Sequence, residues 1–262
     1  TMKHQRIHRD AKKRSGRALW LIPAAGLILA LALCCCRGLP QALAMVAVEA
    51  SPGRERGDCI DAPYLDQREK YPTGCESVCA VMDLQYYGVD LSVEEFIDNY
   101  LPLGDAPHVD GQGNYVGCDP RVAFPGNPYE ESGWGCYSPV IEKALVRALE
   151  DSGRKDLAVA RLDGSTLEDL YGRYVSQGVP VLLWATIGME EPVVSQTFTI
   201  QGTGEAFDWV YPMHCLLWVG EAGDSWLFHD PLAGEAVAYS KSQVERAYQG
   251  LGCQAVALVP DG

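Results

Sequence analysis

Basic residues are scarce in this sequence, and many of them lie at one end. Lysine and arginine together number 21 against 35 aspartates and glutamates, and 8 of the 21 precede Met45. From Met45 onward, 34 acidic residues stand against 13 basic ones, a formal charge of −21. Such a surface repels nucleic acid and anionic lipid, so we expect no nucleic-acid partner. It favours neutral or cationic partners, or serves only to keep the protein soluble.

Two common motifs are also missing. The sequence has no Cys-x-x-Cys pair and a single Cys-His neighbour pair, His214-Cys215, which argues against a zinc site with four convergent ligands. The 262 residues contain no Gly-x-x-x-x-Gly-Lys-Ser/Thr segment, so no ATP-binding cassette is predicted within them. We therefore expect neither a metal nor an organic cofactor.

Residues 1–44 are typical of an export signal or a membrane anchor. Seven basic residues lie between Met2 and Arg17, and residues 18–36 then run without a charge. Ala42-Leu43-Ala44 offers a cleavage site, yet the apolar run is long enough to span a bilayer, so attachment through residues 18–36 is the alternative. A lipid anchor at Cys34 is less favoured because Leu33 is not small. Either way we predict an extracytoplasmic protein, secreted or anchored at a bacterial cell surface.

Residues 45–58 are small and polar and read as a linker, which leaves 59–262 as one folded domain. Seven cysteines remain after the leader, an odd number that fits one reactive thiol and up to three disulfides outside the cell. The favoured disulfide is Cys118–Cys136, with Cys59–Cys253 a weaker prediction. The oligomeric state cannot be inferred.

The order of elements predicts an α+β domain, with a helical lobe before a mostly antiparallel sheet. Helices are expected from Cys75 to Tyr87, after the capping box of Ser92 and Glu95, after Ser138-Pro139, after Ser165 with Glu168, and after Ser240. Residues 101–135 are rich in glycine and proline and are predicted to be a long loop. Strands are expected at 179–187, 213–219, 226–229, 236–239 and 253–259.

Cys75 is the candidate nucleophile. It would sit at the N-terminus of the first helix, where unpaired N–H groups and the helix dipole stabilise a thiolate. A buried structural cysteine or a half-cystine would explain the same position. His214 follows 139 residues later, within the roughly 130–150 residues that separate nucleophile and base in papain-like enzymes.

His214 opens an apolar strand and is the candidate base, while Asp230 ends the neighbouring strand and would orient the imidazole. His229 and His108 are rival bases. A structural histidine and an ordinary Asp-Pro turn are the simpler explanations when each residue is taken singly. Eight residues before Cys75, Gln67 would supply a side-chain N–H to an oxyanion hole.

Glu76 would favour the helix N-terminus but oppose thiolate formation, so it is assigned a capping or structural role. Four aromatic residues near the expected cleft, Trp134, Trp209, Tyr137 and Tyr211, would either line a subsite or simply pack, and packing is the commoner outcome.

Five segments together resemble a known family, the peptidases that trim double-glycine leaders from bacteriocins and their exported peptidase-like relatives. The segments are Pro63-Tyr64-Leu65-Asp66-Gln67, Pro72-Thr73-Gly74-Cys75-Glu76-Ser77-Val78, Gly133-Trp134-Gly135-Cys136-Tyr137-Ser138-Pro139-Val140, His214-Cys215-Leu216-Leu217-Trp218-Val219-Gly220 and Asp230-Pro231-Leu232. The resemblance implies a papain-like fold, with Cys75 as nucleophile, His214 as base, Asp230 as orienter and Gln67 in the oxyanion hole. The long Gly/Pro loop departs from a simple double-glycine peptidase.

The sequence thus predicts an extracytoplasmic cysteine peptidase that acts on a peptide or protein through an acyl-enzyme. Two alternatives stay open. One is a cell-wall amidase or endopeptidase of the same fold, acting on peptidoglycan stem peptides. The other is a binding protein that keeps the cleft without turnover, which a disulfide from Cys75 to Cys79 or Cys215 would favour.

Overall fold

A computed structural model describes residues 59–261. The predicted leader at 1–44 and the predicted linker at 45–58 lie outside these residues. Within 59–261, no helix combines the length and apolar character needed to cross a membrane.

Three helices make up most of the N-terminal lobe. They are α1 (Cys75–Tyr86), α2 (Val93–Tyr100) and α3 (Ser138–Asp151). The predicted capping box at α2 is present, because Ser92 accepts from the Glu95 N–H and the Glu95 side chain accepts from the Ser92 N–H. Pro139 lies in the first turn of α3, where a missing N–H costs nothing.

A six-stranded sheet forms the rest of the domain. Its strands are β5 (Leu157–Arg161), β6 (Val181–Thr186), β9 (Met213–Ala222), β10 (Ser225–Asp230), β11 (Gly234–Ser240) and β12 (Ala255–Pro260). They lie in the order β11-β10-β9-β6-β12-β5, and every neighbouring pair is antiparallel. The helices α4 (Leu167–Arg173) and α5 (Lys241–Gly250) join these strands. The predicted α+β architecture is confirmed.

The central strand β9 is buried on both faces, which explains why its sequence is nearly all apolar. Cys215, Leu217 and Val219 belong to the core shared with α1, whereas Leu216 and Trp218 belong to a second core that includes residues of α5. Alternate side chains of a strand point to opposite faces, so each face of β9 serves one core. This packing fixes the first turn of α1 relative to the start of β9.

A second sheet lies partly within the segment that was predicted to be irregular. Its strands β2 (His108–Val109), β3 (Tyr115–Gly117), β7 (Val193–Ile200) and β8 (Ala206–Tyr211) run in the order β2-β3-β7-β8. A short parallel pair, β1 (Leu103–Gly104) with β4 (Phe124–Pro125), lies beside it in sequence. The prediction of a structureless loop over 101–135 was therefore wrong. Strands of two or three residues are too short to leave a periodic pattern in the sequence.

Two smaller predictions also need correction. The N-cap of α4 is Thr166, whose hydroxyl accepts from the Asp169 N–H, so the cap lies one residue later than predicted. Ser240 is the N-cap residue of α5, but its hydroxyl contacts the Gln243 side chain at 2.6 Å and caps no backbone N–H of this helix.

The predicted disulfides are not observed. Cys118, Cys136 and Cys253 are free thiols. Cys118 directs its sulfur toward the Ala123 carbonyl oxygen, 4.0 Å away, whereas Cys136 is fully buried in the core. Within residues 59–261, neither of these cysteines is joined to the other or to Cys253 by a disulfide.

Candidate active site

Cys75 is the first residue of α1, as predicted. The residue before it, Gly74, lies close to the Tyr71 side chain. A Cβ at position 74 would lie only 3.0 Å from Tyr71 Cβ, so a larger residue would be crowded there. The Cys75 side chain lines a cleft but is only 5% exposed. Burial raises its pKa well above the ordinary thiol value, and the adjacent carboxylate of Glu76 adds to the rise. The helix dipole alone predicted a lower pKa, and burial reverses that effect.

Asp230 holds His214, the second residue of β9. The His214 Nε2–H donates to Asp230 Oδ1 at 2.8 Å, and both side chains are nearly fully buried. Because Nε2 carries the hydrogen in this bond, Nδ1 is the nitrogen left to take a proton. His214 lines the same cleft as Cys75.

Three further donors fix Asp230 itself. Tyr239 donates its hydroxyl to Oδ2 at 2.6 Å, and the backbone N–H groups of Leu232 and Ala233 donate to Oδ1 at 2.9 and 3.3 Å. Burial acts to raise the Asp230 pKa, but the bond from His214 and the other donors outweigh it and hold that pKa at about 2. Asp230 is therefore a carboxylate at any physiological pH.

The rival histidines are engaged elsewhere. His229 is buried, with Nε2 2.8 Å from the Ala62 carbonyl oxygen and Nδ1 accepting from the Ala236 N–H at 3.2 Å. His108 lies on β2, exposed, with Nδ1 2.9 Å from the Ala106 carbonyl oxygen. Neither residue lines the cleft that contains Cys75.

Gln67 lines the cleft, but its side-chain amide is hydrogen-bonded to the backbone. Its Nε2 donates to the carbonyl oxygens of Pro72 and Tyr71, at 3.1 and 3.3 Å, and its Oε1 is buried without a hydrogen-bond partner in the described part of the chain. These bonds hold the turn that leads to Cys75. The predicted oxyanion role would require an N–H of this amide to turn toward a bound carbonyl group.

Glu76 contacts the Cys75 side chain, which its predicted capping role did not include. The Cys75 thiol donates to Glu76 Oε2 at 3.4 Å, and the Cys136 N–H donates to Glu76 Oε1 at 2.6 Å. Gly135 makes room for this carboxylate, since a Cβ there would lie 2.8 Å from Oε1. The Gly-Trp-Gly-Cys segment was the available signal, because a glycine before a buried backbone N–H permits close approach.

The cleft has a volume of about 400 Å³ and an apolar wall. Trp134, Trp209 and Tyr211 line it together with Ile187 and Met213. The indole rings of Trp134 and Trp209 meet edge to face at 5.1 Å. The residues that line it include the exposed carboxylate of Glu131 but no lysine or arginine. The lining is therefore largely apolar, and its fully charged side chain is negative.

The sequence model of the Peptidase_C39 like family matches residues 59–256, three quarters of the sequence. The chain belongs to this family. No curated protein matches the chain significantly. The match spans every element that positions Cys75, His214 and Asp230.

Three solved structures are similar to this chain. A protein from Bacillus anthracis described as a C39-like peptidase is 23% identical, with a TM-score of 0.66 over 79% of this chain and 99% of its own. The peptidase domain of Streptococcus ComA, a bifunctional ABC transporter in a quorum-sensing pathway, is 12% identical with a TM-score of 0.42, over 76% of this chain and 98% of its own. A double-glycine-motif protease from an AMS/PCAT transporter, solved with its leader peptide, is 13% identical with a TM-score of 0.36, over 79% and 94%. The first supports the predicted papain-like fold.

Proposed function

We propose that this protein is a cysteine peptidase in which Cys75 attacks a peptide carbonyl, His214 takes the thiol proton at Nδ1 and Asp230 holds the imidazole. The observation that carries the proposal is the 2.8 Å bond between His214 Nε2 and Asp230 Oδ1, on a histidine that shares its cleft with Cys75. The family match supports the peptidase class.

The reaction would proceed in two steps. The Cys75 sulfur bonds to the carbonyl carbon, the amine leaves with the proton held by the His214 imidazolium, and an acyl-enzyme remains. Water then hydrolyses the thioester, again with His214 as base, and restores the thiol. The Cys75 N–H and a Gln67 N–H would stabilise the oxyanion once Gln67 releases a backbone carbonyl.

The substrate would be a peptide or protein segment bound along the aromatic wall. The side chains of Trp134, Trp209 and Tyr211 offer apolar contact on one side of the cleft, and the excess of acidic residues disfavours anionic substrates.

We further propose an extracytoplasmic location, because residues 1–44 are first basic and then apolar, as in an export signal or a membrane anchor. Sequencing the N-terminus of the protein isolated from its native cell would test this, since a start near Met45 requires export and cleavage, whereas an intact leader in the soluble cytoplasmic fraction contradicts it.

A peptide-library digest followed by mass spectrometry tests the peptidase. We expect cleavage by the full-length wild type and none by Cys75→Ala or His214→Ala. Cys253→Ser removes a thiol outside the cleft and should cleave normally. Cleavage that persists in Cys75→Ala would contradict the mechanism. Cleavage confined to peptidoglycan stem peptides would instead identify the cell-wall enzyme.

A further inference from the structure

Glu76 is an ionisable group in direct contact with the nucleophile, and the mechanism above does not use it. Its side chain has no solvent exposure. Within residues 59–261 it forms no salt bridge, and it accepts hydrogen bonds from the Cys75 thiol and the Cys136 N–H. A carboxylate this deeply buried is costly unless it is paired, so its protonation state matters to the site.

Two elements besides α1 place titratable groups near this carboxyl group. The segment 133–137 contributes the thiol of Cys136, and β9 contributes His214 and the thiol of Cys215. Cys75 and Cys79 face it from α1 itself. The imidazole of His214 is thus the sole group among these that can become a cation. Among residues 59–261, no lysine or arginine pairs with Glu76 to hold it in its ionised form.

Resting on the proposed function, we propose that Glu76 is a positioning residue that gates the nucleophile. Its neutral carboxyl group holds the Cys75 sulfur as a thiolate, and its ionised form suppresses that thiolate. The two states differ in the direction of one hydrogen bond. A carboxylate can only accept from the thiol, which keeps the proton on sulfur. A neutral carboxyl can donate its O–H to the thiolate once His214 has taken the thiol proton.

Electrostatics act in the same direction as the hydrogen bond. A carboxylate and a thiolate 3.4 Å apart in a buried site repel strongly, because little solvent lies between them. Burial raises the pKa of Glu76 to about 7, against the lowering effect of its hydrogen bonds and of His214. Ionisation of Glu76 would therefore occur near neutral pH, where it could control Cys75.

The substitution Glu76→Gln separates the two states without changing the shape of the site. The amide oxygen can still accept from the Cys136 N–H, and the amide nitrogen can donate to the Cys75 sulfur at every pH. The experiment measures the rate of Cys75 alkylation by iodoacetamide from pH 5 to 8, with peptide mapping to identify the labelled thiol. We expect the wild-type rate to fall as pH rises through neutrality and the Glu76→Gln rate not to fall. At pH 8 the variant should react about tenfold faster or more, with near equality at pH 5.

Two controls make the test decisive. Glu150→Gln removes an exposed carboxylate from α3 and should reproduce the wild-type profile. If Glu76→Gln does not fold, the wild-type profile alone decides, because a rate that rises steadily from pH 5 to 8 overturns the inference. Identical profiles for wild type and Glu76→Gln also overturn it. Cys75 labelling that is unchanged in His214→Ala would instead refute the proposed triad, so the two failures are distinct.

Discussion

The Tyr239 hydroxyl lies 2.6 Å from Oδ2 of Asp230, nine residues earlier in the chain, and donates to it. Oδ1 of the same carboxylate is occupied by the His214 N–H. Asp230 thus bridges β9 and β11, and its orientation depends on both strands. The imidazole that faces the cleft is held through this chain of two hydrogen bonds.

The change Tyr239→Phe removes one donor and leaves Oδ2 of a buried carboxylate unsatisfied. A hydrogen bond to a charged group contributes about 1.5–3 kcal/mol, so the free energy of unfolding should fall by about that amount at pH 7. Urea denaturation measures it. Tyr115→Phe is the matched control, since Tyr115 donates to Gln196 at 2.6 Å on the exposed surface and should cost less. Equal losses in the two variants would contradict the special position of Tyr239.

The change Asp230→Asn is expected to lower peptide cleavage at least ~100-fold, because an amide no longer selects the His214 tautomer with Nδ1 free. It should also change acid stability. The pKa of Asp230 is about 2 in the folded protein and 3.8 in an ordinary aspartate. A lowered pKa stabilises the fold above pH 3.8, and this contribution is lost as pH falls toward 2.

Urea titrations at pH 5 and pH 2 test that second effect. The wild type should lose about 2 kcal/mol more than Asp230→Asn between these two values. If both proteins lose stability in parallel, Asp230 is not the ionised partner of His214. The cleavage assay, run at pH 7, is independent of this outcome.

Local patterns predicted much of this fold, and long-range contacts account for what they missed. The run at β9 was recognisable because both faces of that strand are buried. The strand β7 was not predicted, because its first five residues are exposed and break any alternation. The bond from Tyr239 to Asp230 depends on an irregular register between β10 and β11, after Phe228. Neither propensity nor spacing specifies such a register.

The candidate site also has features that local sequence patterns predicted and features that they missed. The positions of Cys75 and His214 at the starts of α1 and β9 followed from sequence alone, because helix starts and strand starts have local signals. The contact of Glu76 with the Cys136 N–H did not, since it joins segments 60 residues apart. Burial of Cys75, and hence the direction of its pKa, also required the assembled structure.

The substitution Gly135→Ala should displace side chains of the candidate site, because Gly135 lies against Met213 and Glu76. Its φ is +118°, and a Cβ would lie 2.2 Å from Met213 Cε and 2.8 Å from Glu76 Oε1. The added methyl group would displace a carboxyl group that is held at both oxygens, so we expect a loss of about 2–3 kcal/mol in the free energy of unfolding. Gly153→Ala shares a positive φ, +69°, with no atom within 4 Å of the new Cβ, and should cost about 1 kcal/mol. Chemical denaturation of both variants would show the difference, and equal losses would rule out the clash.

Asp83 lies two turns along α1 from Cys75. Its carboxyl group should make the stability of the fold depend on pH, independently of the candidate site. It is fully buried, its Oδ1 has no hydrogen-bond partner among residues 59–261, and its Oδ2 accepts from the Leu258 N–H at 3.3 Å. Burial raises the pKa of Asp83 well above 3.8, although that backbone bond lowers it. The folded state therefore binds a proton that the unfolded chain releases near pH 3.8, and stability falls as pH rises from there toward the raised pKa.

Asp83→Asn keeps an acceptor for the Leu258 N–H and removes the ionisable group. The variant should melt at a higher temperature than the wild type at pH 8, by several degrees, and at nearly the same temperature at pH 4. Asp90→Asn, an exposed aspartate just beyond α1, should change neither value. Thermal unfolding of the three proteins at both pH values measures the effect. A gain for Asp83→Asn that is equal at pH 4 and pH 8 would mean that the charge is not its cause, because protonation has already removed that charge at the lower pH.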